Sequence, residues 1–333
     1  MTYNNSTLQK GADNVKENRK KLLKGIGITA VAAGTVYGIN RLVFFLSTVK
    51  ELLTSKEKSY YSWRFGNIYY SKKGEGKPVL LIHSLTSSGA DCEWHALLDE
   101  LAESHTVYTI DLPGCGRSGK EKMIYTNYLY VQAVNDFVKH IIKAKTDIIT
   151  SGDSSSIAVM ACHSEPSLHG RFIFINPESL DHMVKRPKTW QKCLSYVMQL
   201  PLIGTLYYVL VNSKWKIKSD FENKYYFDHT KIAPGMADMF YEAAHLGGFA
   251  ARFACASKIG YYTRINVVYA LKQIDHSMYI IGGGEAEGMD ETIAGYTHFN
   301  PAIETVRIEA TKGMPHMEKP VETADLCKLY LEH

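Results

Sequence analysis

The sequence is sparing with the residues that announce metals, disulfides or nucleic-acid partners. Its 333 residues hold six cysteines, at 92, 115, 162, 193, 255 and 327, with no CxxC pair and no histidine at zinc-finger spacing. That excludes the familiar structural zinc patterns, and scattered thiols in apolar segments read as reduced core residues rather than a disulfide framework. His163, His169, His229, His245, His276 and His298 show no HxH or HxxxH spacing, so no metal is expected. The net charge is only +4, with Lys and Arg spread along the chain, which gives no basis for nucleic-acid binding. There is no internal repeat and no low-complexity tract, and the 45% hydrophobic and 22% charged residues are ordinary for one large or two small globular domains.

The amino terminus departs from this plainness. Residues 1–21 are polar and end in the basic run KENRKK; LLKGIGITAVAAGTVYGI follows, then NRLVFFLSTVKELL. Gly25 to Ile39 carries no charge, which is short for a bilayer core of about 30 Å unless Lys24 and Arg41 snorkel and the apolar residues 42–46 contribute. A membrane anchor or interfacial helix is expected, against a signal peptide lacking a small-x-small site and a helix packed on the domain. Lys/Arg counting would leave residues 1–21 cytoplasmic, with the side of the main domain open. Residues 1–58 therefore read as a basic terminus, an anchor-like helix and a charged connector at 50–58.

Beyond residue 58 the pattern alternates. YYSWRFGNIYY (60–70) suits a hairpin around Gly66-Asn67. PVLLIHSL, TVYTIDL, DIIT, RFIFIN, SMYIIGG and ETVRIEA read as strands. EWHALLDELAES (93–104), NYLYVQAVNDFVKHIIKA (127–144), SSIAVMAC and VETADLCKLYLEH read as helices. Strand–helix alternation predicts an α/β fold with a mostly parallel, doubly wound sheet. The rhythm breaks over 180–255, which is Met- and aromatic-rich, predicting a helical cap inserted into a core of 59–179 and 256–333.

Ligands in such sheets bind beyond the carboxyl ends of the strands. There the sequence places His83-Ser84-Leu85, Asp111-Leu112-Pro113-Gly114-Cys115-Gly116-Arg117-Ser118, the turn Gly152-Asp153-Ser154-Ser155-Ser156, and Gly313-Met314-Pro315-His316-Met317-Glu318-Lys319-Pro320. GCGRSG spells G-x-G-x-x-G, but no helix opens at Gly119, and Glu121 after Lys120 defeats a P-loop, so no cofactor is expected.

Together, and in this order, these four segments resemble the α/β-hydrolase superfamily over about residues 60–333, with Ser in place of Gly at 84 and 156. The resemblance implies a nucleophile elbow at 152–156 with Ser154 attacking and His316 taking its proton. Asp153 is the alternative nucleophile, as in the dehalogenase and epoxide-hydrolase types, with Ser151 and Ser155 as its small neighbours. The resemblance points to backbone N–H groups of Leu85 and Ser155 as the oxyanion hole. For the acid that orients His316 it points to the loop GGGEAEGMDE: Glu285 first, then Glu287 or Asp290, with Glu178 an alternative after the preceding strand. The implied activity is hydrolysis of a carboxylic ester, hydrophobic or lipid-like by the cap's composition. Alternatives on the same fold are a thioesterase, an acyltransferase, a C–C hydrolase, a haloperoxidase-like member, or a non-catalytic binding protein at a membrane.

Overall fold

The computed structural model describes residues 5–54 and 59–332. The 44-residue helix α1 (Asn5–Thr48) leads into an eight-stranded sheet: β1 (Ser59–Trp63), β2 (Gly66–Lys73), β3 (Lys77–Ile82), β4 (His105–Ile110), β5 (Thr146–Ser151), β6 (His169–Ile175), β7 (Met278–Gly283) and β8 (Glu304–Ile308). The spatial order is β1-β2-β4-β3-β5-β6-β7-β8; β1 and β2 are antiparallel additions and the other strands run parallel. The expected hairpin forms, with its turn at Arg64-Phe65 and Trp63 opposite Gly66, whose φ of +111° suits glycine.

The parallel strands are continuous apolar runs because both faces are covered. Leu80, Ile82, Ile148, Phe172, Phe174 and Ile280 point into one core, against α3 (Asn127–Phe137) and α4 (Ser155–Ser164). Their neighbours Val79, Leu81, Ile149, Ile173 and Ile281 point into the other, against α2 (His95–Leu101) and the carboxyl-terminal helix. A turn of 3₁₀ helix, Asp91–Trp94, precedes α2, and α3 ends in a π turn over Val138–Ile142, so these two helices are shorter than their periodicity suggests.

Between β6 and β7 the chain is helical: α5 (Leu180–Val184), α6 (Thr189–Gln199), α7 (Ile203–Val211), α8 (Lys214–Asp220), α9 (Met236–His245), α10 (Arg252–Ile259) and α11 (Val268–Leu271). Helix α12 (Met289–Phe299) joins β7 to β8; α13 (Pro315–Glu318) and α14 (Pro320–Glu332) close the chain. The cysteines of the described residues are unpaired, and four of the six are buried.

Helix α1 holds the one described segment, within Lys16–Thr48, long and apolar enough by itself to cross a membrane; its best 18-residue window has a mean hydropathy of 1.5 and is wholly unburied. Its last turns dock on the cap. Asn40 Nδ2 donates to Leu202 O at 3.3 Å, and Phe44 stacks on Tyr208 with ring centroids 6.2 Å apart. Beyond the helix, the N–H groups of Leu52 and Leu53 donate to the two carboxylate oxygens of Glu242 on α9, at 2.9 and 3.1 Å. Of the charged connector expected at 50–58, residues 55–58 lie outside the described residues.

Candidate active site

The site assembles at the carboxyl ends of β3, β4 and β5. After β3, His83 is fully buried and tied into its turn. Its Nε2 accepts the Leu112 N–H at 2.9 Å, which leaves the proton on Nδ1 to donate to Ser84 O at 2.8 Å. After β4, Asp111 accepts the N–H groups of Asp91 (2.7 Å) and Arg117 (2.8 Å) and the Arg117 Nε–H (2.9 Å). Ser118 Oγ accepts the Tyr69 N–H at 2.9 Å. The DLPGCGRS loop is thus hydrogen-bonded to the His83 turn, to the turn at Asp91 and to β2.

At the elbow the chain leaves β5 at Ser151 and turns through Gly152, whose φ is +59°. A Cβ there would meet Ser84 Cβ at 3.2 Å, so the turn needs a residue without one. Asp153 and Ser154 complete a 3₁₀ turn into α4. The two candidate nucleophiles face opposite ways. Ser154 is fully buried and its hydroxyl donates to the backbone carbonyl of His83 at 2.6 Å. Asp153 faces the cap: its Oδ1 accepts the Leu85 N–H at 2.8 Å, and its Oδ2 lies 2.6 Å from Lys258 Nζ on α10. Desolvation opposes the charge of Lys258, but the Asp153 carboxylate more than offsets it and holds the ammonium above its ordinary pKa.

Both N–H groups assigned to the oxyanion hole are therefore engaged. Leu85 N–H holds the Asp153 carboxylate, and Ser155 N–H closes the turn onto the carbonyls of Gly152 and Asp153. Between elbow and cap lies a space of about 20 Å³, lined by Leu85, Asp153, Ser156, Glu178, Lys258 and Arg264, which is room for roughly one water.

His316 lies on α13, fully buried, its ring 4.6 Å from that of Trp94. Neither ring nitrogen makes a hydrogen bond to Ser154 or Asp153. The nearest charge is Glu93, whose Oε1 is 3.4 Å from His316 Nε2, an ion-pair distance between two buried groups. The Glu93 carboxylate also receives the Ser84 N–H at 3.1 and 3.3 Å. Burial disfavours its charge, yet His316, His83 and Ser151 outweigh that and lower its pKa.

The acids expected from the resemblance lie elsewhere. Glu285 is exposed, its N–H donating to Thr311 O at 2.8 Å, and with the exposed Glu287 it lines a separate cavity of about 1010 Å³. Asp290 is exposed and paired with Arg307. Glu178 sits 3.5 Å from Arg264 and 3.7 Å from His182, its pKa raised by burial and by Asp153. Glu93, Trp94, Lys258 and Arg264 were not picked out from the sequence. Glu93 had no distinguishing signal, since it lies in the polar stretch Asp91-Cys92-Glu93-Trp94-His95 and read as the first residue of a helix; Lys258 and Arg264 had none either, because they reach the site only through the packing of the helices between β6 and β7. No cluster of His, Cys, Asp and Glu among the described residues could hold a metal.

With this geometry the chain can be compared with known proteins. The family model described as "Alpha/beta hydrolase family" matches residues 79–326. A 2-hydroxy-6-oxo-6-(2'-aminophenyl)hexa-2,4-dienoic acid hydrolase of Metapseudomonas resinovorans is 30% identical over 125 residues, 34% of this chain; the match spans under half of that relative, 43%. Among solved structures, a serine hydrolase involved in carbazole degradation superposes with a TM-score of 0.68 at 14% identity, covering 83% of this chain and 98% of that one. The epoxide hydrolase CorEH gives 0.67 at 17% identity, covering 83% and 98%. The likeness to these two structures is one of fold. The family match, spanning most of the chain and every element that builds the elbow, shows that this protein belongs to the alpha/beta hydrolase family.

Proposed function

We propose that this protein is a hydrolase whose attacking group is the Asp153 carboxylate, with His316 activating the water that resolves the covalent intermediate. The observation that carries this reading is the Leu85 N–H at 2.8 Å from Asp153 Oδ1. A carboxylate held there keeps one oxygen fixed while the other attacks. Asp153 Oδ2 attacks an electrophilic carbon and forms an enzyme ester, as the C–halogen bond breaks to release halide or as an epoxide C–O bond breaks and its oxygen takes a proton from water. Water, losing its proton to His316, then adds to the ester carbonyl, and the Leu85 N–H stabilises the oxyanion that develops on Oδ1. Collapse of that intermediate frees the alcohol and regenerates the carboxylate. Lys258 must leave Oδ2 as substrate enters, and the small space over the elbow requires the cap to open.

This chemistry suits an apolar epoxide or alkyl halide better than a carboxylic ester, because carboxylate attack on an ester yields a reactive anhydride. The fold likeness to an epoxide hydrolase agrees with it. Either route requires His316, which here lies against Glu93 and bonds neither candidate, to come within reach of the elbow; the ester route, and C–C cleavage through Ser154, would also require the Ser154 hydroxyl to leave the His83 carbonyl. The unburied apolar stretch of α1 supports a further part of the proposal: α1 holds the protein at a membrane, where hydrophobic substrates concentrate.

One observation favours a second reading, a binding protein without turnover: the elbow's left-handed position is held by Gly152, which has no side chain to attack with. A panel of apolar epoxides, alkyl halides and p-nitrophenyl esters, with fluorophosphonate labelling, separates the readings. Epoxide or halide turnover lost in Asp153→Asn supports the first. Ester turnover and labelling lost in Ser154→Ala would replace it with the serine route. No turnover and no labelling would leave the binding protein.

A further inference from the structure

We propose that the α6–α7 hairpin of the cap is a membrane-docking element, seated in the interfacial layer of the bilayer that α1 enters. The inference rests on α1 being the anchor, and the test below separates the two. Residues 22–39 of α1 form a helical run about 27 Å long, close to the hydrocarbon thickness of a bilayer. Asn40, the next residue, is buried against the cap and donates to Leu202 O in the α6–α7 turn. The turn therefore stands at the level where α1 leaves the hydrocarbon.

The surface at that level is largely apolar and exposed. Leu200 and Ile203 flank the turn, and Tyr196 and Val197 on α6 and Leu210 on α7 extend it; Ile203 is 63% and Leu210 61% exposed. On the adjoining outward face of α1, Ile39, Leu42, Phe45 and Leu46 are exposed as well. Scattered apolar side chains on a surface need no explanation, but these lie on three helices that pack together, α1 and α6 each against α7. Helices α6 and α8 and their first turns also carry Trp190 and Trp215, the latter 76% exposed, with exposed Lys188, Lys192, Lys214 and Lys218. Tryptophan and lysine flanking an apolar strip is the composition of a segment lying in the headgroup layer. Helix α6 and the helical run from Ile203 to Tyr225 are together apolar enough to span, yet they meet at 109°, which suits lying along an interface rather than crossing. A bilayer is the occupant that covers the hairpin and α1 at once.

Single cysteines at Ile28, Ile203, Leu210 and Asp275, in the full-length protein with Cys193→Ser, would carry an environment-sensitive fluorophore. The proteins are reconstituted into phosphatidylcholine/phosphatidylglycerol vesicles with and without nitroxide lipids. Asp275, before β7 and 97% exposed at its side chain, is the water-facing reference. Blue-shifted emission quenched by nitroxide lipids at Ile28, Ile203 and Leu210, but not at Asp275, is expected. Quenching at Ile28 with Ile203 and Leu210 matching Asp275 overturns the docking surface and leaves the anchor standing. No quenching at any position overturns both. A blue shift at Ile203 without quenching shows a protein partner on that face, and also overturns the proposal.

Discussion

Asp153 and Leu85 are joined by a 2.8 Å hydrogen bond from the Leu85 N–H to the Asp153 carboxylate, which places a charged side chain in the cradle expected to receive a substrate oxygen. The group that turns toward the cap and the group that turns into the fold are neighbours in sequence, and their consequences on substitution differ.

Asp153→Asn keeps the shape of residue 153 and an acceptor for the Leu85 N–H, while removing the attacking charge and the ion pair with Lys258. Turnover of the responsive substrate is expected to fall by at least about 10³-fold with little change in melting temperature. Ser154→Ala deletes a buried hydrogen bond to a carbonyl, so it is expected to retain activity and lose about 1 kcal/mol of stability in urea titration. Activity lost in Ser154→Ala and kept in Asp153→Asn would reverse the assignment.

Gly152→Ala forces a Cβ into left-handed backbone and against Ser84 Cβ at 3.2 Å. The expected cost is about 1–2 kcal/mol of unfolding free energy. Ser84→Gly should relieve the steric part and leave the backbone part, so a double-mutant cycle showing no coupling would mean the two residues do not meet.

Glu93→Ala leaves His316 buried without its partner, and breaking such a pair is expected to cost about 3–5 kcal/mol. The pH dependence has a definite sign. Because the Glu93 pKa is lowered on folding, its stabilisation is present above the ordinary carboxylate range and disappears as pH falls through the folded value. Thermal melts between pH 3 and 6 should show a smaller acid loss in Glu93→Gln than in the wild type.

Asp91 titrates in the other direction. Burial and the Asp111 carboxylate raise its pKa to about 7, against the opposing pull of Arg117, so below that pH the proton sits on Asp91 while Asp111 stays paired with the guanidinium. Its stabilisation is complete below the unfolded pKa and is lost as pH rises through about 7. Asp91→Asn is expected to flatten the decline in melting temperature between pH 5 and 8; an unchanged slope would place that titration elsewhere.

The sequence made the strand ends legible because each polar cluster followed an apolar run, and order along the chain substitutes for distance when a parallel sheet aligns its carboxyl edge. His83, the Asp111 loop, the elbow and His316 all lie along that edge. The choice between Asp153 and Ser154 was not legible, because it depends on which side chain turns toward the cap and which turns into the fold. Gly152 marked the elbow in either case, and only the structure shows it occupying the left-handed position itself. Glu93 escaped for a different reason. The strand-end rule directs attention to loops after β6 and β7, whereas Glu93 reaches His316 from a 3₁₀ turn before α2. Cap residues such as Lys258 carry no pattern of their own, since an isolated lysine on a short helix looks like any solvated one.

The paired grip of Glu242 on the N–H groups of Leu52 and Leu53, with Asn40 fastened to Leu202, means that α1 is joined to the cap at both ends of its docked segment. A helix so fastened is a strut, not a tether. Under the proposed anchoring, a body mounted on a strut keeps one heading and one height above the bilayer, so traffic into the cap would arrive from a constant direction, and any tilt of the strut would be transmitted to the cap as torque.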